Sequence, residues 1–155
     1  MRRVVCRAFG PLSDLEVVEE PDLVAGDGQV VVDVAAGGAN FVDALIVQGG
    51  YQLKPQLPFT PGMEVAGTVV GTGERVLAVC WFGGYASQVV VPAASVVPVP
   101  DGVTMGQAAT VVQSYATMLF SLTRRTSVAA GEWVAVLGAG GGGGLAAIDV
   151  ARALG

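Results

Sequence analysis

Trp133-Val134-Ala135-Val136-Leu137-Gly138-Ala139-Gly140-Gly141-Gly142-Gly143-Gly144-Leu145-Ala146-Ala147 is the stretch that decides the fold. The apolar run Trp133–Leu137 reads as a strand covered on both faces, as in a parallel sheet. Leu145–Leu154 reads as a helix, and the glycines between form a tight turn. Strand, glycine turn and helix in that order are the context in which such glycines carry meaning. Gly138, Gly141 and Gly144 are the best-placed positions, with Gly138-x-Gly140-x-x-Gly143 as an overlapping register. Missing side chains let backbone approach a pyrophosphate, and the free N–H groups and dipole of a helix start favour its charge. A flexible linker is the competing explanation, but linkers rarely join an apolar strand to a good helix former. A P-loop needs Lys and then Ser or Thr after the glycines, whereas Leu145 and Ala146 follow here. The ribose-recognising acidic residue expected about 20 residues further on has no counterpart before Gly155. The chain alone is therefore not expected to hold a dinucleotide in reactive geometry.

Upstream, Asp101-Gly102 is a turn, and Thr104 followed by Gln107 has the form of a capping box. Met105, Ala108, Ala109, Val112, Tyr115, Ala116, Leu119 and Phe120 recur at spacings of three and four. That pattern predicts a broad-faced, buried helix over Met105–Leu122. The first hundred residues differ, with short valine-rich runs split by glycine and proline. Strands are expected at Val4–Phe9, Leu15–Glu19, Gln29–Ala36, Glu64–Val70, Arg75–Val79 and Tyr85–Val91, with another near Val96. Such runs suggest a small barrel or partly closed sheet. Asn40 to Val47 reads as a short helix, with Asn40 as its cap and Phe41, Ala44, Leu45 and Gln48 at helical spacing. A boundary or hinge falls between Pro98 and Gly131.

Composition excludes several classes. The 155 residues are 52% hydrophobic and 14% charged, against about 25% charged in a typical soluble domain. The excess points to buried parallel strands, a missing partner surface, or both. Eight basic against thirteen acidic residues give a formal charge of −5, and no basic footprint for nucleic acid is present. Cys6 and Cys80 sit in apolar runs without metal-like spacing and read as buried thiols. No signal-peptide core follows Arg2-Arg3. The uncharged stretch Val76–Pro100 is broken by Gly83-Gly84, Pro92 and Pro98, so it is not a membrane span. A cytoplasmic location is the default expectation.

Four segments then point to a family: Ala35-Ala36-Gly37-Gly38-Ala39-Asn40-Phe41-Val42-Asp43, Pro58–Val69, Gly83-Gly84-Tyr85-Ala86 and Leu137–Ala147. In order and spacing the chain resembles the zinc-independent quinone oxidoreductase branch of the medium-chain dehydrogenase/reductase superfamily. The resemblance covers nearly all of this chain, and the chain covers about the first half of such an enzyme. It implies a mainly β GroES-like domain over residues 1–100. Residues 101–155 would supply a long linking helix and the first βα unit of an incomplete Rossmann domain. It further implies NADPH as cofactor, a small quinone or enone as substrate, and association as a homodimer or with a complementing C-terminal half. Asn40, Asp43 and Tyr51 match residues lining the substrate and nicotinamide side of the cleft. Thr117 matches a helix hydroxyl near the nicotinamide, and Gly138, Gly141, Gly142 and Gly144 the pyrophosphate turn.

Each polar candidate also has a plainer reading. Asn40 is a helix cap, Tyr51 a core or surface ring, and Thr117 a hydroxyl bonded to its own helix. Zinc-dependent relatives place cysteine where Asn40 stands and histidine where Met63 stands, so no zinc set is expected. Glu64 is then expected to be structural, holding loops by accepting hydrogen bonds. Two departures stand out. Gly71-Thr72-Gly73 replaces a longer passage before Gly73-Glu74-Arg75-Val76, which should alter an edge of the barrel or its closure and expose apolar surface. Gly143 stands where valine is common, which removes a packing contact. The expected function is an NADPH-dependent quinone or enone reductase that transfers hydride without zinc. The alternative is a truncated, non-catalytic relative or association module without its own cofactor binding.

Overall fold

In the computed structural model, which describes residues 1–155, the chain forms two compact units, Met1–Thr110 and Val111–Gly155. The first is built on a five-stranded antiparallel sheet in the order β6-β3-β4-β5-β7. Its strands are β3 (Gln29–Gly37), β4 (Glu64–Val69), β5 (Arg75–Val79), β6 (Gln88–Pro92) and β7 (Val96–Pro98). The sheet curls into a half-barrel that ends on β6 and β7, which do not pair with each other. A separate two-stranded ribbon joins β1 (Arg2–Val5) to β2 (Glu16–Glu19). The N-terminal strand stops at Val5, short of the expected Phe9, because Cys6 leaves the ribbon for an isolated bridge to Phe59.

Packing follows the period of two of a pleated strand. Val76 and Ala78 of β5 point inward and join Val32, Val65, Val69, Val89 and Val91 in one buried cluster. A second cluster gathers Cys6, Ile46, Val47, Phe59 and Met63 beneath the helix α1 (Phe41–Val47). A third places Ala108 and Ala109 against Ala66 and Val99, which seats the short helix α2 (Met105–Ala108) on the sheet. Thr104 caps α2 by accepting from the Gln107 N–H at 3.2 Å.

The β4–β5 hairpin closes over Val70-Gly71-Thr72-Gly73, with φ of 90° at Gly71 and 72° at Gly73. Those left-handed positions suit glycine. Pairing continues from Thr68↔Arg75 to Glu64↔Val79, and Val70 is left half exposed at the turn.

Three expectations are corrected. The buried side of α1 is Asp43, Ile46 and Val47, while Phe41 is 81% exposed. The helix over Met105–Leu122 is present but bent, and its expected burial is not found. After α2 the chain turns at Ala109-Thr110, and the second unit resumes with π-helical turns at Val112–Ala116 and Ser121–Arg125 flanking α3 (Thr117–Phe120). Its residues Tyr115, Leu119 and Phe120 are exposed, so periodicity identified helical residues but not their partners. Trp133–Leu137 forms no ladder at all. A parallel strand needs neighbours brought back by crossover connections, and this unit supplies none; Trp133 and Leu137 are fully open to solvent. The final helix, α4 (Gly142–Leu154), starts inside the glycine run and buries Ala146 and Ala147.

Candidate functional site

In the first unit the candidate residues converge at the start of α1. Asn40 is the N-cap, with extended backbone. Its N–H donates to Asp43 Oδ2 at 2.9 Å, and the Asp43 N–H donates to the Asn40 carbonyl at 3.0 Å. The Asn40 amide turns elsewhere, donating from Nδ2 to Glu64 Oε1 at 2.9 Å. Asp43 Oδ2 also accepts from the Tyr85 hydroxyl at 2.9 Å, tying α1 to the β5–β6 loop. Asp43 is 4% exposed and Glu64 2%, so two carboxylates lie inside the protein beneath a half-buried Asn40. Buried carboxylates persist where hydrogen bonds compensate lost water, which is what Asn40 and Tyr85 supply. Asp43 Oδ1 is buried without a partner in the chain.

The backbone is fitted closely around this cluster. The Gly38 N–H donates to the Glu64 carbonyl at 3.0 Å, and a Cβ on Gly38 would collide with Glu64 Oε1 and the Ala109 carbonyl. Gly62 has φ of 96° and packs on Tyr85. Burial, reinforced by the bond to Asp43, raises the Tyr85 hydroxyl well above its ordinary pKa. Burial likewise pushes the Cys80 thiol up to about 12, with the charges of Asp43 and Glu64 adding to the shift. Tyr51 is half-buried and packs against the second cluster, near α1 but outside the hydrogen-bonded group. No group of three or more His, Cys, Asp or Glu side chains is placed to hold a metal ion.

The second unit carries Thr117 and the glycine turn. Thr117 is exposed, and its carbonyl accepts from Ser121 Oγ at 2.8 Å. The turn separates the two glycine registers on steric grounds. Gly138 has φ of 77° and Gly141 is the N-cap of α4. A Cβ on Gly144 would strike the Gly138 carbonyl and approach Ala139 Cα to 2.7 Å, whereas Gly140 and Gly143 have open space. The structural demand thus falls on Gly138 and Gly144, whereas a Cβ on Gly141 would make only an ordinary 3.8 Å contact with the Gly138 carbonyl. No side chain caps α4, so its first N–H groups are free to meet an acceptor. Open space over the turn and these donors fit a pyrophosphate. A Cβ added at Gly143 would have open space around it. Sequence reasoning missed one further pair in this unit, Tyr115 Oη donating to Asp149 Oδ2 at 2.8 Å.

The Tyr85–Asp43 link was also missed as a role. Its only signal was the segment Gly83-Gly84-Tyr85-Ala86, in which two glycines permit close approach but nothing names the partner.

Known proteins match this arrangement. Residues 26–101 match the alcohol dehydrogenase GroES-like domain family. Mouse quinone oxidoreductase-like protein 2 is 39% identical over 150 residues, which cover 91% of this chain and 42% of that protein. The quinone oxidoreductase of Thermus thermophilus, solved also as its complex with NADPH, is 39% identical with a TM-score of 0.91, covering 100% of this chain and 51% of that one. The Escherichia coli quinone oxidoreductase solved with NADPH is 28% identical with a TM-score of 0.92, covering 100% and 50%. The chain spans about half the length of these relatives.

Proposed function

Because the chain belongs to the quinone oxidoreductase branch of the medium-chain dehydrogenase/reductase superfamily, we propose that it supplies the acceptor-binding half of an NADPH-dependent reductase of quinones or enones. The observation that carries this reading is Asn40, presented half-buried on a scaffold of buried Glu64 and Asp43 braced by half-buried Tyr85. NADPH supplies the hydride when bound, and the N–H groups at the start of α4 with Gly138, Gly141, Gly142 and Gly144 would hold its pyrophosphate.

The chain's own groups set the acceptor's environment. Nδ2 of Asn40 carries two hydrogens, one of which is committed to Glu64 Oε1. The other is available to a carbonyl oxygen on which negative charge develops during reduction. A donor already oriented needs no reorganisation at that moment. Asp43 fixes the Asn40 backbone and Tyr85 fixes Asp43, so these two act as positioning groups. On this reading Tyr51, beside α1, is an acceptor-lining residue of the first unit, and Thr117, on α3, a nicotinamide-facing hydroxyl of the second. Zinc has no role in it. Asn40 is engaged as a hydrogen-bond donor, and Met63 is 9% exposed among Phe59, Ile46 and Val47.

The second unit has glycines for a pyrophosphate but no paired strand beside Trp133–Leu137. The 155 residues alone are therefore expected to consume no NADPH with a quinone. Joining them to the second half of the Thermus thermophilus quinone oxidoreductase should restore NADPH-dependent reduction. That turnover should be insensitive to chelators and should fall about 100-fold in Asn40→Ala, as for loss of one transition-state donor. A chimera that binds NADPH but reduces neither quinones nor enones contradicts the reading.

A further inference from the structure

The loop joining β5 to β6 contains a backbone feature that the scaffold does not use. Trp81 has φ of 58°, the one positive value at a residue other than glycine. The Phe82 N–H donates to the Cys80 carbonyl at 2.6 Å, closing a three-residue γ-turn centred on Trp81. A γ-turn of positive φ is rare and strained, and a bulky side chain at its centre adds to the cost. Gly83 and Gly84 follow Phe82, so permissive residues stand two and three positions beyond the tryptophan.

The flanks hold this conformation in place. The N–H groups of Cys80, Gly83, Gly84 and Tyr85 donate to the carbonyls of Met63, Thr60, Gly62 and Pro61 at 2.8 to 3.0 Å. The Phe82 ring meets Phe59 edge-on at 5.6 Å. The indole recovers little of the strain by packing, since Trp81 is 64% exposed. Its position is also specific. The preceding Cys80 thiol feels the charges of both Asp43 and Glu64, and Tyr85 at the far end of the loop bonds to Asp43. Strain retained where the surroundings over-determine it is a pointer to function.

We infer that Trp81 is a specificity-determining residue, its indole held out by the γ-turn as a stacking platform for the planar, electron-poor ring of a quinone at the edge of the Asn40 site. This rests on the quinone-reductase reading and adds a recognition element to it. A ring fixed before the ligand arrives loses little freedom on binding, and offset stacking favours flat acceptors over aliphatic enones.

The test uses the full chain with Trp133→Phe, which leaves Trp81 as the only indole of the two in the sequence. The probe is tetramethylbenzoquinone, whose substituted ring has no open carbon for Cys6 or Cys80 to attack. Equilibrium dialysis should show saturable binding, with quenching of the Trp81 emission. Trp81→Phe should keep most of the affinity. Trp81→Gly should weaken binding about tenfold, the size of one aromatic stack, while raising the thermal midpoint by relieving the turn. Affinity unchanged in Trp81→Gly overturns the platform and leaves the quinone reading standing. A lowered midpoint in Trp81→Gly makes the indole a packing residue and overturns it too. Absence of quinone binding by the parent chain overturns both.

Discussion

The two units of this chain bury their apolar residues to very different degrees. Met1–Thr110 closes three apolar clusters and two buried carboxylates within itself, whereas Val111–Gly155 leaves Trp133, Leu137, Leu119 and Phe120 open to solvent. Yet both are equally rich in apolar residues to the eye. Antiparallel strands find their partners across short turns, so Glu64–Val79 completes a hairpin from local sequence. A parallel strand depends on neighbours separated by crossover connections, and no such neighbour flanks Trp133–Leu137. Burial is a property of topology, and apolar composition is only its raw material.

The contrast can be broken most severely at Asp43. Asp43→Ala leaves the Asn40 N–H and the Tyr85 hydroxyl without their charged acceptor inside the first unit, at a cost of about 3 kcal/mol. Urea unfolding followed by Trp81 emission should show the loss, while the Trp133 signal of the second unit should not move. A loss below about 1 kcal/mol, the worth of an exposed pair, would mean that the cluster is solvated and not a scaffold.

A smaller effect is expected in the pH dependence of the first unit. Tyr85 has its folded pKa raised by burial and by Asp43, so the fold favours the protonated phenol. Its contribution is complete below the unfolded value of about 10 and is lost as pH rises from there toward the folded value. Cys80, raised from 9.0 to about 12, acts with the same sign from pH 9.0 upward. The first unit should therefore lose stability through the alkaline range, and Tyr85→Phe should remove the part of that loss above about pH 10. An unchanged alkaline slope in Tyr85→Phe would rule out the Tyr85–Asp43 link as its origin.

The smallest change is expected at Gly143. Its Cβ position is open and lies within α4, so Gly143→Ala should stabilise α4 by about 0.5–1 kcal/mol through backbone entropy and helix propensity. Helix content measured by circular dichroism across a thermal scan checks this. A loss of helix would show that Gly143 needs a conformation closed to alanine.

The same contrast explains what could be read from the residues. The strands of the first unit, Asn40 as the cap of α1 and the Thr104–Gln107 capping box all depend on near neighbours in sequence. Glu64 as an acceptor was legible because a buried carboxylate must be satisfied, although its partner Asn40 lies 24 residues away. Tyr85–Asp43, separated by 42 residues, gave no such clue. The same holds for the γ-turn at Trp81, since propensity argues against tryptophan there. Trp133–Leu137 misled in the opposite direction, because its local pattern is that of a strand and only ladder partners make one.

Amide hydrogen–deuterium exchange on the intact chain tests the central contrast most directly. Strong protection is expected along β3, β4 and β5, where each strand is paired on both sides, and exchange at nearly the unstructured rate from Trp133 to Leu137. Protection of Trp133–Leu137 equal to that of β4 would contradict it, since these amides would then be paired within a core that this chain is argued not to build.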